Sequence, residues 1–194
     1  MTTNKSRGRP RRFDREEAVS AAQRLFHARG YDAVSVADVT EMLGINPPSF
    51  YAAFGSKAGL YARVLERYNA RNAVPLASLL RADRPVSECL AAVLEEAARY
   101  YAADRDAGGC LVLEGVRCND GDAREAARAY NLAAERVIHD YVAARHPEDA
   151  DRLTDFVSTI MVGMSAKARN GHGLDQLLDT ARLAGSALAH AVPG

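Results

Sequence analysis

The sequence predicts an all-helical protein, and three observations carry that prediction. Apolar residues recur at helical spacing along most of the 194 residues, and no segment shows the two-residue alternation of a strand. Glycine and proline punctuate those stretches, at Gly44, Gly55, Pro85, Gly108-Gly109, Gly121, Pro147 and Gly171. Ser, Asp and Asn stand where helices would start and could accept bonds from the unpaired N–H groups of a first turn.

The elements follow in order. Residues 1–12 are rich in Lys, Arg, Gly and Pro and hold too little apolar surface to fold alone, so a disordered basic arm is expected. Asp14 and Glu17 form a capping-box pattern opening a helix to about Arg29, with Ala18, Ala22, Leu25 and Phe26 as its core stripe. Ser35 and Asp38 repeat the pattern, and Val36, Val39, Met42 and Leu43 fall on one stripe. Gly44 then supplies the positive φ that leaving this helix demands. Asn46 caps the next helix and Pro47 fits its first position, where a missing N–H costs nothing. Phe50 and Phe54, four apart, face a core, which turns Ser49, Tyr51 and Ala52 elsewhere. Gly55 stops this helix. Ser56 opens a long one, expected to run to about Leu80 with Leu60, Tyr61, Val64, Leu65 and Tyr68 on one face. Further helices are expected after Pro85 through Tyr101, near Cys110–Cys118, and over about Ala123–Arg145, Asp149–Asn170 and Leu174–Ala191.

Two short helices joined by a glycine turn, behind a basic N-terminus, make a helix-turn-helix DNA reader. Net charge is zero, yet residues 1–70 hold 11 Lys and Arg against 7 Asp and Glu, and the remainder holds 14 against 18. That asymmetry is the footprint expected when one part of a chain meets phosphate and the other does not.

The run from Phe13 to about Tyr68 resembles the TetR family of bacterial transcriptional regulators. The resemblance rests on Leu25-Phe26, Gly30-Tyr31, Val36 to Ile45, Phe50-Tyr51, Phe54 and Ser56-Lys57-Ala58-Gly59-Leu60 at their observed spacing. It implies a three-helix DNA-binding domain over residues 13–55 and a larger helical domain over 56–194 for ligand binding and dimerisation, with helix 56–80 shared. It also implies a cytoplasmic, ligand-responsive repressor that binds an inverted-repeat operator in double-stranded DNA as a homodimer, is found at the nucleoid when bound, and is released by a small-molecule inducer. Half-sites would lie about one helical turn, ~34–36 Å, or a multiple of it apart.

Expected DNA contacts begin with Lys5, Arg7, Arg9, Arg11 and Arg12, which track phosphate or enter a minor groove unless the arm is only solubilising. Ser35 is either a phosphate donor or a cap alone. Tyr51 and Lys57 match family positions that hold the DNA backbone, and Pro48 and Ser49 match positions near base edges. Ala52 and Ala53 depart from the larger groups common there. Few side chains would then read bases, with DNA shape adding discrimination.

For the inducer pocket the candidates are Tyr68, Tyr100, Tyr101, Cys110, Glu114, Arg117, Tyr130, Met161 and Met164, against a competing reading as plain core. Cys110, at a helix start, has two readings. The helix dipole lowers its thiol and makes it a redox or electrophile sensor, or it is a small packing residue. The last two helices are apolar on more than one face, so a second stripe must be buried somewhere. Phe156, Ile160, Met164, Leu177, Ala181, Ala184 and Leu188 are expected in a two-fold four-helix dimer interface; the rival is a helix central to its own subunit.

Other classes find no footing. No apolar run approaches the roughly 18–20 residues of a membrane span, so no membrane partner is expected. Three well-spaced cysteines suit a reducing compartment. The five histidines lack metal-ligand spacing, so no metal or cofactor is expected, and no phosphate-binding loop or nucleophile elbow points to an enzyme. The rival function is a helical ligand-binding or redox-switch protein that has lost sequence-specific DNA binding.

Overall fold

The computed structural model describes residues 14–192, so the expected contacts of Lys5, Arg7, Arg9, Arg11 and Arg12 lie outside the described residues. Among the described residues there are ten α-helices and no strand: α1 Arg15–Arg29, α2 Val36–Leu43, α3 Pro47–Phe54, α4 Lys57–Arg71, α5 Leu76–Leu79, α6 Val86–Tyr101, α7 Leu111–Gly115, α8 Gly121–Ala143, α9 Ala150–Arg169 and α10 Leu174–Ala191. A single 3-10 turn, Pro147–Asp149, leads into α9.

Local chemistry sets the first three boundaries. The Asp14 carboxylate accepts from the N–H groups of Glu16 and Glu17, without a reciprocal bond from Glu17. Ser35 and Asp38 form the full capping box, and Gly44 ends α2 in the left-handed conformation at φ 64°. Asn46 caps α3 by accepting from Ser49 N–H at 2.9 Å.

α4 is shorter than its apolar stripe predicts. It ends at Arg71 with Asn72 as its cap, and the chain passes Pro75 before the single turn of α5. Pro75 lacks an N–H for the helical ladder and biases the preceding residue away from helix, so the expected run to Leu80 is broken.

Two apolar cores result. The first gathers Phe26, Tyr31, Phe50, Leu60 and Tyr61, and it also takes in Leu111, Val112, Cys118, Ala123 and Ala127 from α7, the turn after it and the start of α8. Tyr61 lies edge-on to Phe26 and Tyr31, with ring centroids 5.1 and 4.8 Å away. The second gathers Leu90, Leu94, Leu153, Val157, Leu177 and Leu188 from α6, α9 and α10. α6 packs most extensively on α10, where a Cβ at Gly185 would stand 3.0 Å from Ala91 Cβ.

That packing corrects the expected dimer stripe. Leu177, Ala181, Ala184 and Leu188 are buried within one chain, as is Met164. These five side chains are spent inside the chain, in the second core, whereas α10 keeps Leu183 exposed on its other stripe. Phe156 and Ile160 alone of the seven keep partial exposure.

Candidate nucleic-acid interface and effector cavity

α3 presents one face to solvent because its two phenylalanines anchor the other. Phe50 and Phe54 are buried, whereas Pro48, Ser49, Ala52 and Tyr51 are exposed. The Tyr51 ring packs edge-on against Phe50, with centroids 5.3 Å apart. α3 carries no charged side chain. Its first two residues are prolines without N–H groups, and the Ser49 N–H is held by Asn46, so its N-terminus is poorly supplied with donors for an anion.

Two expected phosphate donors already have partners. The Ser35 hydroxyl donates to Asp38 Oδ2, and Asp38 also pairs with Arg29 at 3.0 Å. Those bonds hold the Asp38 carboxyl well below the usual carboxylate range. Ser35 is thus engaged as a cap. Lys57 reaches back over the Tyr31 ring, its Nζ 3.9 Å from the centroid, and donates to Tyr31 O at 3.1 Å and Val34 O at 2.9 Å. The ammonium keeps a third N–H and its charge. It braces the α1–α2 turn, a role that sequence spacing did not reveal because the carbonyls lie 23 and 26 residues away.

The described residues 14–70 hold six basic against seven acidic side chains. The positive surplus of this region therefore comes from residues ahead of Asp14.

Two clasps tie the reading head to the rest of the chain. In the first, Tyr31 Oη donates to Asp120 Oδ2 at 2.8 Å, and Asn119 donates from its backbone N and Nδ2 to Asp32. In the second, Arg169 at the end of α9 donates to His27 O and Gly108 O and pairs with Glu114 at 3.1 Å. His27 Nε2 donates to Gly109 O at 3.1 Å. Burial pulls the His27 imidazole below its ordinary value, the Gly109 carbonyl opposes this, and the Arg169 charge adds to the lowering. Sequence reasoning missed both clasps, since each joins residues far apart in the chain. Glu114 belongs to the second and does not line the large cavity beside α8.

A cavity of about 460 Å³ lies between α4, α5, the end of α6, α7, α8 and α9. Of the nine expected lining residues, Tyr68, Tyr101, Cys110, Tyr130 and Met161 line it. Tyr100 packs instead against the second core, Met164 is within it, and Arg117 is exposed. Asn69, Val74, Leu76, Val112, Asn131, Glu135 and Ser158 complete much of the wall and were not expected. The i, i+4, i+7 spacing of Asn131, Glu135 and Ile138 on α8 was the available signal.

The expected lowering of the Cys110 thiol is reversed. Burial pushes it up, outweighing the Leu113 and Val112 N–H groups and the Tyr68 hydroxyl, which act the other way. α7 is a five-residue helix, too short to supply much dipole. Cys118 is also raised, by burial and then by the Asp32 carboxylate.

Among the described residues no three His, Cys, Asp or Glu side chains gather as metal ligands, and no helix is long and apolar enough to cross a membrane.

Residues 18–64 match the model of "Bacterial regulatory proteins, tetR family". The chain is 58% identical over 190 residues to the HTH-type transcriptional repressor BdcR of Escherichia coli (strain K12), covering 97% of this chain and 96% of that protein. It is 32% identical to the HTH-type transcriptional repressor ComR of the same organism, covering 91% and 90%. Among solved structures it is similar to the TetR family transcriptional regulator CifR, in a cysteine mutant complexed with 26-bp double-strand operator DNA. The TM-score is 0.81 and the identity 30%, covering 92% of this chain and 99% of that one.

Proposed function

We propose a function from one premise: the chain belongs to the tetR family of bacterial regulatory proteins, which bind DNA, regulate transcription and are not enzymes. It is a repressor that binds an inverted-repeat operator as a homodimer and leaves it when a small molecule fills the cavity. The observation that carries this reading is the exposed face of α3, held out by buried Phe50 and Phe54 in a capped helix-turn-helix.

Pro48, Ser49, Tyr51 and Lys57 are the DNA contacts within the described residues, with Ser35 a cap and the residues ahead of Asp14 supplying most of the positive charge. Retardation of the DNA upstream of its own gene tests this. The wild type forms a specific complex, and the Tyr51→Ala, Lys57→Ala double variant does not. An identical complex from the double variant would remove these residues from the interface. The absence of charge on α3 favours a rival reading, a ligand-binding protein without operator specificity. A random-operator selection that returns no preferred sequence would establish the rival.

The dimer face consists of Phe156, Ile160 and Gly163 on α9 with Leu183 and Ala187 on α10. Gly163 is exposed in mid-helix, and a Cβ there would meet nothing within 4 Å. An exposed mid-helix glycine costs about 1 kcal/mol against alanine, a cost that close approach of a second helix offsets. Leu183, 76% exposed, gains burial in the same contact.

Inducer binding favours one of two arrangements of the clasps at Asp120 and Arg169, and so of the reading heads. If the inducer is an electrophile, Cys110 on the cavity wall is its target. Thiol labelling decides: Cys110 unreactive in the native protein under conditions that modify free cysteine ends the electrophile variant.

A further inference from the structure

We infer that the cavity takes an organic cation, an amine or quaternary ammonium on an apolar body, and rejects anions. The inference deepens the inducer reading and rests on it.

The charge of the wall selects the ligand. No Lys, Arg or His side chain lines the cavity, whereas the Glu135 carboxylate does. Glu135 is half-buried, and Asn131 Nδ2 donates to its Oε1 at 3.1 Å. Its Oε2 has no hydrogen-bond partner among the described residues and is free to meet a ligand. Three tyrosine rings, Tyr68, Tyr101 and Tyr130, stand on the same wall. An aromatic face attracts a cation within about 6 Å of its centroid, most strongly where water is excluded.

The other ionisable groups on the wall are neutral, and the Arg169 charge that reaches the Cys110 thiol from behind it is paired with Glu114. Burial raises the Tyr68 and Tyr101 hydroxyls and the Cys110 thiol, so all three stay neutral. Burial and then the nearby Glu66 carboxylate raise the Tyr130 hydroxyl, so it too stays neutral. Val112, Leu113, Val137, Ile138 and Met161 supply apolar surface for the body of the ligand. An anion would meet this wall with no counter-charge. A neutral molecule would strip water from Glu135 and return nothing. A cation satisfies both the carboxylate and the rings.

Three probes of one shape test the charge alone: benzyltrimethylammonium, its uncharged isostere neopentylbenzene, and benzylsulfonate. Each is titrated calorimetrically into the full-length protein. The expected result is that the cation binds at least roughly tenfold more tightly than the neutral probe, about what one partly screened charge contact supplies, and that the sulfonate does not bind. Glu135→Gln, which preserves shape and the Asn131 bond, abolishes the cation's advantage and leaves the neutral probe unchanged. Neutral binding as tight as the cation's, or an advantage that survives Glu135→Gln, overturns the charge class and leaves the cavity as the inducer site. If no probe binds, or if Ala134→Phe folds with unchanged helicity and does not weaken binding, both readings fail.

Discussion

Lys57 shows how one residue serves two ends. Its ammonium satisfies the Tyr31 and Val34 carbonyls, and it also carries charge at the start of α4. The expected outcome of Lys57→Ala is weaker binding to every DNA sequence, with the slope of log affinity against log salt reduced by about 0.9, the value of one phosphate contact. A variant that melts earlier yet keeps its full salt slope would reduce Lys57 to a brace. His27 makes a pH prediction. Its imidazole is lowered by burial, so the folded state holds it neutral and the unfolded state takes up the proton first. Its contribution to stability is complete above the unfolded value near 6.5 and is lost as pH falls toward the folded value. His27→Gln keeps a donor for Gly109 O without a titrating ring. Between pH 7.5 and 5.5 its melting temperature should fall less than that of the wild type, a comparison made by circular dichroism; equal falls would clear His27 of any part in the acid response.

At the scale of the element, α2 and α3 are short enough for their caps to decide whether they form. Each has eight residues, and neither would persist alone in water. Asn46→Ala removes the acceptor for Ser49 N–H and should cost about 1 kcal/mol, read as a lower denaturation midpoint at unchanged slope. Because the cap fixes how α3 leaves the Gly44 turn, operator affinity should fall by more than the loss of stability explains; affinity unchanged at full folding would deny that coupling. The glycine turn, the caps and the buried Phe50–Phe54 face of α3 were legible in the sequence, since each depends on neighbours within a few residues. The end of α4 was less so. Its apolar stripe continues past Arg71 in Val74 and Leu76, and Asn72 with Pro75 ends it.

For the whole molecule, self-association is the property that a single chain states only through what it leaves uncovered. Phe156, Ile160, Leu183 and Ala187 remain after α6 has taken the opposite stripe of α10. Leu183→Glu places a charge on that remainder without touching either core. Light scattering at micromolar concentration should give a dimer for the wild type and a monomer for the variant, with equal helicity. A wild type that is monomeric throughout would refute the dimer and, with it, the inverted-repeat operator.

The sequence by itself determined the helices apart from α5 and the end of α4, most of their caps, the reading head and the family, because hydrophobic period and capping chemistry are local properties of the chain. Only the tertiary structure decided which of two apolar faces on α10 is spent inside the subunit, which residues turn toward the cavity, and that Lys57 is already bonded. It also decided that Cys110 is a raised and not a lowered thiol. Each of these depends on which distant segment supplies the neighbour. Burial, unlike periodicity, is set by residues that the chain brings together from more than twenty positions away.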